Sequence, residues 1–242
     1  MARAGRVVAD TLALMGEHIQ PGTTTGELDA IAEEFIRSHG GEPTFKGYRG
    51  YPAAICSSPN DMVVHGIPGK VKLAQGDILS VDVGVTLDGF VADSAWTFPV
   101  GAIAPEAQRL LEVCEASLEA GIEQARIGNS IGDISEAVQT VVEGAGFGVI
   151  RSLVGHGVGR AMHEDPQVPN FVSSSKGPEL REGMTIAIEP MITAGSPDVY
   201  IHDDEWSIST VDRSLAAHFE HTVAVTAEGP RILTLGAKVL VP

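Results

Sequence analysis

The first forty residues carry apolar side chains three and four positions apart, the spacing of one face of an α-helix. Residues 7–15 show this period and predict a first helix, which Pro21 and Gly22 end. The same period returns over residues 28–36 and predicts a second helix. This helix is expected to begin at the threonines before Gly26 and to end at the glycine pair 40–41.

The pattern changes between residues 45 and 101 to short β-prone runs separated by turn residues. Residues 77–85 and 90–100 predict two strands. Asp88 and Gly89 between them form a hairpin turn signal, so the two strands are expected to pair antiparallel.

The second half repeats this order, with a helix after Pro105, another over residues 134–142, and strands that include 185–192 and 221–226. Two separate segments match at shifts of 106 and 107 residues: Gly22, Gly26 and Leu28 with Gly128, Gly132 and Ile134, and Leu73, Gly76, Ile78 and Asp82 with Leu180, Gly183, Thr185 and Glu189. Chance recurrence of glycine turns is the alternative. The matched shifts favour an internal duplication, and therefore one α/β (α+β) domain over residues 1–242 with halves of approximately 1–101 and 102–242.

Charge narrows the classes of partner. The 242 residues include 16 Lys and Arg against 32 Asp and Glu, a formal charge of −16, which argues against nucleic acid and anionic membrane surfaces. Cys56 and Cys114 are too few for a disulfide framework. Charged residues interrupt residues 1–20, so no signal peptide is expected, and no later run has membrane-spanning length. We therefore expect a cytoplasmic protein.

Asp82 interrupts residues 78–85, an apolar and β-branched run that otherwise predicts a buried strand. An unpaired carboxylate costs several kcal/mol to bury, so it normally has a cation, hydrogen-bond donors or a raised pKa. Asp93 poses the same problem in the partner strand. Antiparallel pairing about the turn would bring the two carboxylates into one neighbourhood.

Glu189 and Glu220 raise the same question in the second half, because both lie in or beside apolar strands. A strand-end acid paired with arginine would explain any one of the four acids. It explains all four poorly, since only 16 basic residues serve the chain. Bound metal removes the repulsion of clustered carboxylates without protonation.

Three histidines complete the candidate chemistry: His156 between glycines in 155–159, His163 before Glu164, and His65 before Gly66. Any one alone would more often be a core histidine. Pro166 breaks a helix at once, so His163 does not begin the helical zinc motif. Mostly oxygen ligands with one imidazole suit Mn, Fe or Co, with Zn also compatible. The residues alone predict a metal-assisted hydrolase with a duplicated α/β domain.

In this order the residues resemble the type I methionine aminopeptidases, the short bacterial-type enzymes. The resemblance covers nearly the whole chain and rests on seven segments: 47–52, 60–68, 82–84, 155–159, 163–168, 188–191 and 219–222. It implies the pita-bread fold, in which two pseudo-symmetric halves surround a curved antiparallel sheet with helices on the outer face. It also implies removal of the initiator methionine from nascent proteins whose second residue is small.

The resemblance further implies that two divalent cations are held by Asp82, Asp93, His156, Glu189 and Glu220. Asp93 and Glu220 would be shared between the cations. Glu189 would also carry a proton to the leaving amine, while His65 and His163 would contact substrate and stabilise the tetrahedral intermediate. The identity of the cations stays open among Fe(II), Mn, Co and Zn.

An apolar pocket for the methionine side chain is implied as well, lined by Tyr48, Tyr51, Cys56, Met162 and Trp206. Phe45, Arg49 and Met162 stand where better-known members have a cysteine, frequently a histidine, and a phenylalanine. These differences concern the shape of the pocket and the preference for the second residue. The resemblance also implies a monomer that acts on nascent chains in transient contact with the ribosome.

Other functions are weighed against these features. Prolidase-like and Xaa-Pro aminopeptidase relatives of the same fold usually carry a further N-terminal domain, whereas here the first helix is predicted within the first ten residues. Second-type methionine aminopeptidases carry an insertion between His163 and Glu189, but the gap is only 26 residues (189 − 163 = 26). A non-catalytic binding module would have lost metal ligands, and all five are present.

Overall fold

The helices form two pairs, one in each half of the chain. In this computed structural model, which describes residues 1–236, the helices are α1 (Ala2–His18), α2 (Thr25–Ser38), α3 (Pro105–Glu123) and α4 (Ile131–Gly144). All four predicted helices are confirmed. The second helix of each pair begins with a capping box, in which an acid of the first turn bonds back to the N-cap residue: Glu27 accepts a hydrogen bond from the Thr24 N–H (2.7 Å), and Asp133 accepts one from the Ser130 N–H (2.7 Å).

Strands occupy most of the remaining chain, and a 3₁₀ turn spans Tyr48–Gly50. They are β1 (Glu42–Pro43), β2 (Cys56–Pro59), β3 (Met62–Val64), β4 (Ile78–Leu87), β5 (Phe90–Pro99), β6 (Gly148–Val149), β7 (Gly155–Gly157), β8 (Glu164–Val168), β9 (Thr185–Ile188), β10 (Met191–Thr193), β11 (Val199–Ile201), β12 (Ile208–Thr210), β13 (Ala216–His218), β14 (His221–Thr226) and β15 (Gly229–Ile232). The prediction of one strand over 185–192 is wrong. Pro190 has no N–H for a ladder bond, and the chain divides there into β9 and β10.

β4 and β5 form the predicted hairpin. Leu87 pairs with Phe90 across a two-residue loop whose residues, Asp88 and Gly89, both have positive φ (52° and 74°), as a twisted two-residue turn requires. The other edge of β4 pairs with β2 and β1. Side chains alternate along β4, so Val81 and Val83 pack towards the helices while Asp82 lines a cavity on the opposite face.

The second half forms a five-stranded antiparallel sheet in the order β15-β14-β9-β7-β8, with two smaller sheets, β13-β10-β6 and β11-β12-β3. The start of β14 meets β5. The Thr222 hydroxyl donates to the Asp93 carbonyl oxygen (2.7 Å) and accepts from the Asp93 N–H (3.0 Å), and the Glu220 N–H donates to the Ala95 carbonyl oxygen (2.9 Å). The seam between the halves therefore runs beside two of the four buried acids.

Each helix pair covers the apolar side of its own sheet. Val8 and Leu28 pack with the valines of β4 in the first half, while Ile134 packs with Ile188 and other apolar residues of β9 and β14 in the second. Trp96 on β5 contacts both apolar clusters. The helices thus stabilise one face of the sheets, and the opposite face carries the polar site.

Contacts at the shift of the sequence repeat also recur in space. An isolated bridge joins Thr24 to Lys72, and another joins Ser130 to Glu179. The Gly22 N–H donates to the Leu73 carbonyl oxygen, and the residues 106 and 107 positions later, Gly128 and Leu180, make the same bond. In residues 1–236, no helix has the length and apolar character needed to cross a membrane.

Candidate metal centre and substrate cleft

The polar site lies in a cavity of about 320 Å³ between the two halves. Its lining contains every side chain that the sequence and the resemblance nominated: Asp82, Asp93, His156, Glu189, Glu220, His65, His163, Tyr48, Tyr51, Cys56, Met162 and Trp206. Residues from both halves of the chain, on strands, on the 3₁₀ turn and in loops, therefore converge on one cleft.

Asp93, His156 and Glu220 form the tightest group. Each offers a ligand atom, and these atoms all lie within 4.8 Å of one another. Asp93 and Glu220 are only 2% and 1% exposed. Nε2 of His156 lies 3.7 Å from Oδ2 of Asp93 and 3.5 Å from Oε1 of Glu189. Three carboxylates and one imidazole thus face a common centre.

Asp82 lies diagonally opposite Asp93 on the same face of the hairpin. Asp93 pairs with Gly84, and Asp82 pairs with Ala95, so the two carboxylates are offset by two residues. The predicted proximity of these acids is therefore confirmed. Glu189 follows directly after β9, where Pro190 ends the ladder and turns the chain away.

Local bonding selects which nitrogen of His156 faces the acids. Nδ1 lies 2.8 Å from the carbonyl oxygen of Gly157 and donates its hydrogen there, so the unprotonated Nε2 points into the centre. A Cβ on Gly155 would overlap the backbone carbonyl of Ala187, and one on Gly157 would overlap that of Asp165. Both glycines are required by this close backbone packing.

The acids lack the partners that buried carboxylates need. Oδ1 of Asp82, Oδ1 of Asp93 and Oε1 of Glu220 are buried without a hydrogen-bond donor. Burial raises the pKa of Asp82 to about 7. Burial, and then the neighbouring carboxylates, raise the pKa of Asp93, Glu189 and Glu220 well above the usual range. A cation would satisfy these oxygens and stabilise their charged forms, so the residues fit divalent metal.

The cleft histidines are neutral near pH 7. Burial lowers the pKa of His156 to about 4 and that of His65 to about 4, and burial with the nearby Arg49 lowers the pKa of His163. A neutral imidazole has one N–H donor and one free lone pair. His156 is therefore ready to ligate, while His65 and His163 can donate to a substrate oxygen.

Aromatic and thioether side chains form the apolar wall. Tyr51 and Trp206 meet edge to face with ring centres 5.1 Å apart, and Cys56 and Met162 are buried beside them together with Phe45. The Tyr51 hydroxyl donates to the Gly66 carbonyl oxygen (2.9 Å) and thereby ties this wall to the loop that carries His65.

Arg49 stands at the mouth of the cleft in the 3₁₀ turn. Its φ of 49° places a non-glycine residue in the left-handed region. Its guanidinium carbon lies 5.4 Å from the centre of the Tyr48 ring, and the side chain lines the cavity while remaining exposed. The resemblance flagged this position, but the conformation has no signal in the sequence.

Sequence reasoning missed His218. This imidazole also lines the cavity, and its Nε2 lies 3.8 Å from Oε2 of Glu189 and 3.8 Å from Oε2 of Glu220. His218 is the last residue of β13 and lies two residues before Glu220 in the sequence. That spacing was visible in the sequence, but it does not tell which way the imidazole points.

This arrangement of carboxylates and imidazole, on two sheets that meet at a seam, is characteristic of metal-dependent hydrolases. Residues 1–227 match the model of metallopeptidase family M24, and the chain belongs to that family. Within the family its relatives are methionine aminopeptidases. It is 51% identical over 235 residues to the "Methionine aminopeptidase" of Clostridium perfringens, covering 97% of this chain and 94% of that protein.

Other relatives agree. The "Methionine aminopeptidase 1" of Bacillus subtilis is 51% identical over 234 residues, with 97% of this chain and 94% of that protein covered. The crystal structure of methionine aminopeptidase from Rickettsia prowazekii superposes with a TM-score of 0.95 at 40% identity, covering 97% of this chain and 95% of that one. The resemblance stated from the sequence, the pita-bread fold and the metallopeptidase class are therefore confirmed.

The prolidase alternative finds only distant support. The prolidase from Pyrococcus furiosus is 20% identical with a TM-score of 0.78, and the match covers 98% of this chain but 63% of that one. At this identity the likeness shows the fold alone.

Proposed function

We propose that this chain removes the N-terminal methionine from nascent proteins and peptides whose second residue is small. The observation that carries the proposal is one cleft in which an apolar wall that includes Met162 and Trp206 adjoins acids whose buried oxygens have no donors. An unbranched thioether suits such a wall. The names of the similar proteins, methionine aminopeptidase, agree with this substrate.

We propose that two divalent cations are held by Asp82, Asp93, His156, Glu189 and Glu220, with Asp93 and Glu220 shared. The central positions and unpartnered oxygens of Asp93 and Glu220 support this sharing. When bound, such cations lower the pKa of water and polarise a carbonyl group. Fe(II), Mn, Co and Zn all suit carboxylates with one imidazole.

Proton transfer and stabilisation of the substrate oxygen fall to different side chains of the cleft. We propose that the Glu189 carboxylate takes a proton and passes it to the leaving amine, which its position beside His156 in the cleft supports. We propose that His65 and His163 donate to the substrate carbonyl oxygen as charge develops there. The neutral state of both imidazoles near pH 7 supports this role, because each keeps a neutral N–H donor.

We further propose that residues 1–242 form one catalytic domain that arose by duplication, which the repeated contacts of Thr24 with Lys72 and Ser130 with Glu179 support. The enzyme would act as a cytoplasmic monomer in transient contact with the ribosome. A charge of −16 disfavours prolonged contact with ribosomal RNA. Sedimentation of the purified protein, alone and with ribosomes, tests both statements.

Peptide cleavage tests the proposed activity. We expect Met-Ala-Ser to be cleaved in the presence of Mn²⁺ or Co²⁺ and Ala-Pro-Ala to remain intact. Glu189→Ala is expected to abolish the cleavage. Absence of turnover of Met-Ala-Ser with every dication tried would reject the proposal, and cleavage of Ala-Pro-Ala alone would favour the prolidase-like activity.

A further inference from the structure

His218 ends β13 with its side chain directed at the metal centre. The residue is 2% exposed, and Nε2 lies 3.8 Å from one carboxylate oxygen of Glu189 and 3.8 Å from one of Glu220. This Nε2 is buried and has no hydrogen-bond partner among the described residues. A buried polar atom of this kind costs free energy unless something in the working protein satisfies it.

The backbone holds this imidazole in place. The Thr97 hydroxyl donates to the His218 carbonyl oxygen (2.8 Å) and accepts from the His218 N–H (3.0 Å), while Met191 of β10 pairs with His218 across the sheet. Thr97 belongs to β5, in the other half of the chain. The side chain is therefore fixed at the seam, between an acid that follows β9 and an acid that precedes β14.

Donation to the glutamates suits this position better than ligation. A neutral imidazole carries one N–H, and both neighbours of Nε2 are carboxylate oxygens that accept hydrogen bonds. Groups that orient ligating carboxylates tune metal affinity from outside the ligand set.

We infer that His218 is a positioning residue whose single Nε2 hydrogen faces the carboxylates of Glu189 and Glu220 and is donated to one of them when both carboxylates close around the cations. The inference rests on the proposed function, because it requires Glu189 and Glu220 to be ligands. It assigns a role to a residue outside the five ligands and the two substrate-facing histidines.

Two variants of nearly equal shape separate donation from packing. His218→Gln keeps an N–H donor, whereas His218→Met has similar length, no donor, and a soft sulfur that Mn²⁺ disfavours. Mn²⁺ affinity is measured by calorimetry on the metal-free proteins, with His18→Met as a control because the His18 side chain bonds Leu14 in α1, away from the centre. We expect His218→Met to weaken the affinity by about 10-fold or more and His218→Gln by less than about threefold.

The outcomes are distinguishable. If both His218 variants bind Mn²⁺ like the unchanged protein, the inference is wrong while the proposed function stands. If Gln and Met weaken binding equally, donation by the side chain is not the cause and the inference is also wrong. If the unchanged protein binds no Mn²⁺, the proposed function itself fails.

A measurement on the unchanged protein covers the case in which the variants do not fold. In protein labelled with ¹⁵N-histidine and loaded with diamagnetic Zn²⁺, we expect the His218 Nε2 to carry a hydrogen that is protected from exchange with solvent. An unprotonated Nε2 in the loaded protein would show direct ligation or the other tautomer and would overturn the inference.

Discussion

The phenolic oxygen of Tyr48 lies 2.9 Å from Nδ1 of His163, and their rings stack with centres 5.5 Å apart. This pair joins the 3₁₀ turn of the first half to the loop before β8 in the second. The bond to Nδ1 leaves Nε2 of His163 to face the cleft. Tyr48 is therefore expected to orient His163 as well as to line the apolar wall.

Removing the Tyr48 hydroxyl should remove the hydrogen bond that orients the His163 ring. We expect Tyr48→Phe to lower kcat/KM for Met-Ala-Ser by roughly 5–10-fold, since one hydrogen bond is worth about 1 kcal/mol. Tyr200→Phe is the matched control, because the Tyr200 ring also lies against a histidine ring, that of His202, but Tyr200 is on β11 and does not line the cavity. Equal losses in the two variants would contradict the orienting role.

His65 is predicted to act on substrate and not on metal. We expect His65→Ala to lower kcat by about 10²-fold, since a donor to developing charge is lost, while Mn²⁺ stoichiometry by elemental analysis stays the same. Asp93→Ala is the comparison and should lose metal as well as activity. Loss of Mn²⁺ from the His65 variant would show that His65 belongs to the ligand set.

Metal binding should release protons near neutral pH. The pKa of Asp82 is raised to about 7, so this acid is largely protonated at pH 6.5 in the metal-free protein, and burial with the neighbouring carboxylates raises the pKa of Asp93, Glu189 and Glu220 in the same direction. Cations require the ionised forms. His156, with a pKa lowered to about 4, is already neutral and releases none.

Calorimetry of Mn²⁺ binding at pH 6.5 in two buffers with different ionisation enthalpies measures this release. The apparent affinity should rise as the pH increases from 6 to 8, because fewer protons must leave. A binding heat that does not depend on the buffer would indicate that the acids are already ionised without metal.

A single methyl group at Gly155 should displace the imidazole of His156, a proposed metal ligand. The added Cβ would overlap the carbonyl oxygen of Ala187 in β9, and overpacking of this kind costs about 1–3 kcal/mol. We expect Gly155→Ala to lower both the thermal stability and the Mn²⁺ affinity. Gly144→Ala is the control, because its Cβ would meet nothing within 4 Å. An unaffected Gly155 variant would show that β7 can shift without moving the imidazole.

Parts of this site could be predicted because burial and charge conflict visibly in the sequence. Asp82 and Asp93 stand among residues that only a buried strand explains, and the turn between them fixes their approach, as observed. The α/β class and the four helices could be predicted because the apolar residues of these segments recur with a strong period. Apolar period and turn chemistry are local properties, and a single chain displays them directly.

Other parts depend on contacts between distant segments. The division of 185–192 at Pro190 was readable in principle, because proline cannot donate to a ladder. The direction of the His218 side chain was not, because Thr97, 121 residues away, pins its backbone. The contact of Tyr48 with His163 likewise spans 115 residues. Such pairings are set by the tertiary fold, and nothing local encodes them.

The seam at Asp93 and Glu220 has a thermodynamic consequence. Asp82 and Asp93 come from one half of the chain, while His156, Glu189 and Glu220 come from the other, so neither half alone holds all five proposed ligands. A cation that binds only the docked arrangement stabilises docking by an amount that grows with its free concentration. Metal affinity and the stability of the contact between the two halves are then coupled. A chelator that removes the cations is expected to weaken that contact.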